Sequence, residues 1–126
     1  MAEDKQIMQA RRVVLTGGSS GIGAQTCRAF LDAGYEVINV SRRAAPFDDR
    51  RLRSVTVDLG DARATREAFL RLADEFPATT LVHCAGAVRE RPVDEATLED
   101  LDALTNLHVA ASLSLVQANL SAMKAA

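Results

Sequence analysis

The stretch VVLTGGSSGIG, Val13 to Gly23, constrains the fold of this chain more than any other. The apolar run Val13-Val14-Leu15 meets closely spaced glycines, and a segment with helical spacing follows. That succession reads as a buried strand, a tight turn and a helix. Two chemistries fit the turn. Gly17-Gly18-Ser19-Ser20-Gly21 matches G-x-S-x-G, a strand-to-helix elbow that presents a nucleophile, here Ser19. Gly17, Gly21 and Gly23 also match a turn that wraps a phosphate at a helix N-terminus, where exposed N–H groups and the helix dipole favour an anion.

Context favours the phosphate turn. A serine elbow needs an acid and a histidine later in the chain, on a larger sheet. His83 and His108 are the only histidines, and His83 lies in an apolar strand where a core role is the default. The elbow also leaves Gly23 without a purpose. In the phosphate turn Gly17 permits the bend, Gly21 lets the main chain approach a pyrophosphate, and Gly23 lets the helix pack against the strand. Ser19 and Ser20 then become loop hydroxyls near phosphate or ribose. A Walker-type loop is excluded because no Lys-Ser/Thr follows the glycines.

The second strand offers an independent test. An NAD site usually places an acid about twenty residues beyond the glycines, on the ribose hydroxyls. Here that region reads Asn39-Val40-Ser41-Arg42-Arg43. A carboxylate would repel a 2′-phosphate, whereas arginine bonds it. One hydrogen bond to a charged group contributes about 1.5–3 kcal/mol, a preference of roughly tenfold to hundredfold. The expectation is NADP(H) over NAD(H), with Ser41, Arg42 and Arg43 as contacts.

Elsewhere the pattern alternates strands and helices. A helix is expected from Gly21 to Ala33, with Ile22, Thr26, Ala29, Phe30 and Ala33 sharing one face. Glu36–Ser41 and Val55–Asp58 read as strands, joined by an exposed loop over 42–51. Asp61 caps a helix that carries Thr65, Ala68, Phe69 and Leu72 on one face and ends at Pro77. Thr80–Cys84 reads as a fourth strand and Arg89 to Pro92 as a loop. Thr97 caps a short helix, with Glu99 and Asp100 near its start. A longer helix runs from Leu107 to Lys124, with Leu113, Val116, Leu120 and Met123 along one side. Such a pattern implies an α/β domain with a parallel sheet covered on both faces.

Composition narrows the function. A chain of 126 residues suits one domain, here 11–126 behind a flexible tail 1–10. A net charge of −2 and the absence of Trp give no footing for nucleic acid, and no run is apolar enough to span a membrane. Cys27 and Cys84 form no metal or disulfide pattern, and the charged N-terminus does not resemble a signal peptide, so a cytoplasmic protein is expected.

At this point the residues resemble the short-chain dehydrogenases/reductases over nearly the whole chain. Thr16 to Gly23 is similar to the family's T-G-x-x-x-G-x-G cofactor motif, Ile22 included. Asp58-Leu59 sits where the family bonds the adenine amino group and packs near the ring. Cys84-Ala85-Gly86 resembles its N-A-G motif, with cysteine in place of the asparagine that ties neighbouring strands. Asn106-Leu107 resembles the asparagine that supports a water linked to the catalytic lysine. The resemblance implies a Rossmann-like sheet of order 3-2-1-4 and a carbonyl/alcohol oxidoreductase. The family's Tyr-x-x-x-Lys is not in these 126 residues, whose only tyrosine is Tyr35. The expectation is therefore a dinucleotide-binding half, cut before a fifth strand and inactive alone, with Asn106 as its only inherited catalytic-group member. A homo-oligomer, or association with a missing C-terminal part, is expected as well. A non-catalytic nucleotide-binding module is the alternative.

Overall fold

The computed structural model describes residues 11–87 and 91–126. The expected tail 1–10 and part of the Arg89 to Pro92 loop lie outside the described residues. Strands β1 (Arg12–Thr16), β2 (Glu36–Ser41), β3 (Leu52–Thr56) and β4 (Thr80–His83) form one parallel sheet in the order β3-β2-β1-β4. Helix α1 (Gly21–Asp32) covers one face. Helices α2 (Ala62–Glu75) and α4 (Ala111–Ala125) cover the other. Helix α3 (Leu98–Thr105) leads into α4 through a π-helical turn, Asn106–Ala110.

The alternation along the central strands builds both layers. Val13, Leu15 and Val37 point to α1 and pack with Cys27 and Leu31. Val14, Ile38 and Val40 point the other way and pack with Phe69, Leu72, Ala111 and Leu115. Both central strands are apolar on both sides because both sides are covered. On α2 the expected residues Thr65, Ala68, Phe69 and Leu72 are the buried ones, and Asp61 caps the helix by accepting the Ala64 N–H at 3.0 Å.

Several sequence expectations are corrected. The buried face of α1 is Gly23, Ala24, Cys27 and Leu31, while Ile22 is 82% exposed and Ala29 and Ala33 are exposed. Gly23 sets this rotation: a Cβ there would lie 1.9 Å from the Gly17 carbonyl oxygen, so the hydrogen side of Gly23 must face β1. Strand β3 spans Leu52–Thr56 rather than Val55–Asp58. It is the edge strand, and Val37 pairs with Leu52 and Ser41 with Thr56. Its exposed Arg53 and Ser54 gave no apolar alternation to read, and Asp58 turns away from the ladder. The 42–51 loop is not wholly exposed, because Ala45 is buried in the α1 layer and Phe47 packs against it. Finally, the short and long helices are continuous. Leu113, Val116, Leu120 and Met123 do share a side, but it is the exposed one, while Leu115 and Asn119 face inward.

Gly23→Ala should destabilise the domain by upwards of about 3 kcal/mol, the top of the usual range for overpacking, because the clash is with main chain rather than with a movable side chain. Urea unfolding followed by circular dichroism measures it.

Candidate functional site

The C-terminal ends of β1, β2 and β4 open onto a cleft of about 390 Å³. Every residue expected to contact the cofactor lines it except Gly21, and Asn106 lies outside the lining as well. The glycine turn forms its floor. Gly17 has φ +73°, and a Cβ there would also lie 2.7 Å from the Ala85 main chain, so two independent constraints demand glycine. Gly21 has φ +55° with open space around its Cα.

Helix α1 starts differently from the other helices that begin at a loop. Asp61 caps α2, and Thr97 with Asp100 forms a reciprocal capping box on α3. Ser20 at the start of α1 makes no side-chain capping bond, and the first turn carries no acid. The positive end of the α1 dipole therefore faces the cleft without an internal anion to answer it. Ser20 is exposed and Ser19 half-buried, both at the lining.

Asn39 is the residue that sequence reasoning passed over. It is fully buried in β2, and its Oδ1 accepts the Gly18 N–H at 2.8 Å. Its Nδ2 donates to Ser41 Oγ at 3.0 Å and to Ser54 Oγ at 3.2 Å. The Ser41 hydroxyl in turn donates to the Arg43 carbonyl. Ser41 is thus a buried brace at the cleft wall, while the Arg42 and Arg43 side chains are exposed at the lining. Among the described residues neither guanidinium has a hydrogen bond or ion pair. The signal for Asn39 was present in the sequence: an amide inside an apolar strand must find partners or destabilise the core.

On the opposite wall, Asp58 is exposed and accepts the Gly60 N–H at 2.9 Å, while Leu59 is buried beneath it. Asn106 reaches the same segment from the π-helical turn, donating from Nδ2 to the Gly60 carbonyl at 3.0 Å. In that turn the Ala111 N–H bonds the Asn106 carbonyl, five residues back. The Leu107 carbonyl, which an α-helix would pair with that N–H, instead accepts from His83 Nε2 at 2.9 Å. Because Nε2 carries the proton, Nδ1 of the neutral ring accepts, and the Thr16 hydroxyl donates to it at 2.7 Å. Thr16 Oγ1 also accepts the Ala85 N–H at 3.1 Å.

This chain of bonds ties β1, β4 and the π-helical turn together. A side-chain link between neighbouring strands, which the resemblance assigns to an asparagine at the Cys84 position, is made here by His83 one residue earlier. Cys84 keeps a main-chain bond to the Thr16 carbonyl at 3.3 Å. With both His83 nitrogens engaged and His108 Nε2 at 2.9 Å from the Ala87 carbonyl, neither ring is held as a base for Ser19.

A parallel sheet of order 3-2-1-4, flanked by helices and carrying a glycine turn before α1, defines a Rossmann-like α/β domain. The family model for short chain dehydrogenase matches residues 11–126, and the chain belongs to that family. It is 33% identical over 115 residues to L-xylulose reductase of Mus musculus, covering 87% of this chain and 46% of that protein. A short-chain dehydrogenase from Streptomyces avermitilis superposes with a TM-score of 0.80 at 28% identity, over 92% of this chain and 45% of that one. A blue fluorescent protein from a metagenomic library, in complex with NADPH, gives a TM-score of 0.77 at 25% identity, over 92% and 52%. The chain spans about half the length of the curated relatives it matches. Among the described residues no helix is long and apolar enough to cross a membrane.

Burial holds the His83 pKa below its ordinary value; the Leu107 carbonyl opposes this and His108 adds to it. The unfolded chain therefore binds a proton more readily, and His83 subtracts stability as pH falls through about 6.5. The thermal midpoint should drop between about pH 7.5 and about pH 5.5, and less steeply in His83→Gln. Equal slopes in the two proteins would contradict the assignment.

Proposed function

We propose that residues 11–126 form the dinucleotide-binding half of an NADP(H)-dependent oxidoreductase that interconverts a carbonyl and an alcohol. The observation that carries this reading is the pair of guanidinium groups of Arg42 and Arg43, without a partner among the described residues, at one end of a cleft whose floor is an uncapped helix N-terminus. A glycine turn where Cβ atoms would clash or strain fits a pyrophosphate held by main-chain N–H groups. Gly17, Gly21, Ile22 and Gly23 shape that turn, and Ser19 and Ser20 supply hydroxyls to it. Arg42 and Arg43 bond the 2′-phosphate, with Ser41 fixing their main chain. Asp58 accepts from the adenine amino group and Leu59 packs beside the ring. Ala85 and Gly86, after Cys84, offer main chain to the nicotinamide ribose. The cofactor, when bound, supplies the hydride chemistry. Asn106 holds the π-helical turn to Gly60 at the substrate end. The NADPH complex of one structural relative supports a nicotinamide dinucleotide, and the name of the sequence relative L-xylulose reductase supports the reaction class.

These 126 residues contain no Tyr-x-x-x-Lys, so no general acid serves the carbonyl oxygen and the chain alone should be inactive. A cytoplasmic location fits two free thiols. Titration with NADPH and NADH should show a preference for NADPH of roughly tenfold to hundredfold, abolished in Arg42→Ala. Equal affinities in the wild type would sink the NADP(H) assignment, and carbonyl reduction by the pure chain would sink the claim of inactivity.

Association completes the reading. The exposed side of α4 carries Leu113, Val116, Leu120 and Met123 in one stripe, continued by Val109 in the π-helical turn. Among the described residues β4 pairs with β1 alone, leaving its other edge open. A second copy of the chain, or the C-terminal part of a longer protein, would cover them. Light scattering at micromolar concentration should give a mass above 13.5 kDa, shifting toward the monomer in Leu113→Glu/Leu120→Glu. A stable monomer would refute self-association.

A further inference from the structure

We infer that Asn39, Ser41 and Ser54 act as positioning residues for cofactor selectivity. They hold the Arg42-Arg43 turn at a fixed place relative to the glycine turn before any nucleotide arrives. The inference rests on the dinucleotide reading above and extends it from Ser41, at the cleft lining, to Asn39 and Ser54, which lie behind it.

Hydrogen-bond capacity fixes the direction of each bond. The Gly18 N–H only donates, so the oxygen of the Asn39 amide must face it, and the Asn39 nitrogen then faces the two serines. The Arg43 carbonyl only accepts, so the Ser41 proton goes there and Ser41 Oγ accepts from Asn39. Ser54 Oγ accepts a second time, from the Ala45 N–H at 3.0 Å. One buried amide thereby fastens the glycine turn at Gly18 and, through the serines, the following turn at Ser41, Arg43 and Ala45. Fit is close as well as bonded: a Cβ on Gly18 would lie 2.6 Å from Asn39 Oδ1. Further along, Ala45 is buried and the Arg28 guanidinium lies 5.6 Å from the centre of the Phe47 ring, so the loop is anchored beyond the arginines. The main chain of the Arg42-Arg43 turn is therefore held while the two side chains remain exposed.

The consequence is selective. A nucleotide with a 2′-phosphate uses both the glycine turn and the arginines, and one without it uses the glycine turn but not the arginines. If the turn carrying the arginines were loose, ordering it would weaken only the 2′-phosphorylated ligand. Ser41 and Ser54 bond the arginine turn and not the glycine turn, so they should affect discrimination. Asn39 bonds both segments, so its loss should weaken both ligands, and the 2′-phosphorylated one more, because that ligand uses both segments. A merely structural role would lower stability and move both affinities in parallel.

Calorimetric titration of the chain with NADPH and with NADH tests this. Ser41→Ala and Ser54→Ala should each weaken NADPH by about threefold to tenfold, the worth of one neutral hydrogen bond, and change NADH by less than about twofold. Ser41→Thr, which keeps the hydroxyl, should retain the wild-type ratio, and Asn39→Ala should weaken both ligands, NADPH more than NADH. Ser54 lies exposed on the edge strand, so Ser54→Ala remains a fair test should Ser41→Ala fail to fold. If Arg42→Ala collapses the NADPH preference while both serine variants keep it, the positioning role is wrong and the dinucleotide reading stands. If Arg42→Ala leaves the ratio untouched, the reading itself fails and the positioning role falls with it. Equal weakening of both ligands in Ser54→Ala would also overturn the positioning role.

Discussion

A methyl group on Gly23 would sit 1.9 Å from the carbonyl oxygen of Gly17, and the geometry of the cleft follows from the space its absence leaves. With hydrogen in that place, the first turn of α1 rests directly on the end of β1. This approach sets the rotation of α1, sends Ile22 outward and brings Cys27 and Leu31 onto Val13 and Leu15. It also places the uncapped N-terminus of α1 at the cleft over the strand ends. Gly17 meets the same kind of limit from the other side, against the main chain of Ala85. The floor of the cleft is thus defined by what cannot fit there.

Two polar assemblies then hold the walls. On the β2 side a buried amide and two hydroxyls lock the turn that carries Arg42 and Arg43. On the β4 side Thr16 and His83 connect the strand ends to a carbonyl released by the π-helical turn. Each assembly pairs every donor it buries, which is what a group removed from water requires. The second one lets this chain carry cysteine at position 84 and still tie β4 to β1. The π-helical turn is a functional part of that arrangement, because a regular α-helix would have no free carbonyl at Leu107.

Much of the fold was legible because the relevant signals are local. The run Val13-Val14-Leu15 before the glycines, the capping residues Asp61 and Thr97, and the Thr65/Ala68/Phe69/Leu72 stripe each act through neighbours in sequence. The elements misjudged are those decided by distant contacts. The outer strand β3 is placed by pairing with β2, and its exposed side chains leave no pattern. The buried face of α1 is chosen by one glycine rather than by the widest apolar stripe. The cleft residues were mostly readable from the glycine turn and from Arg42, Arg43 and Asp58. Asn39 signalled a need for partners but not their identity, because Gly18 and Ser54 lie 21 and 15 residues away.

The sequence alone determined the strand-turn-helix, the alternation of strands and helices, and the presence of two arginines where an acid would favour NAD. These depend on backbone conformation, periodicity and charge, which are written residue by residue. Only the tertiary structure decided that Asn39 and Ser41 brace those arginines, that His83 takes up a strand-linking bond, and that Leu113, Val116 and Leu120 remain uncovered on α4. Those facts belong to pairs of residues that meet only after the chain has folded, and a hydrogen bond or an exposed face exists only once both sides are in place.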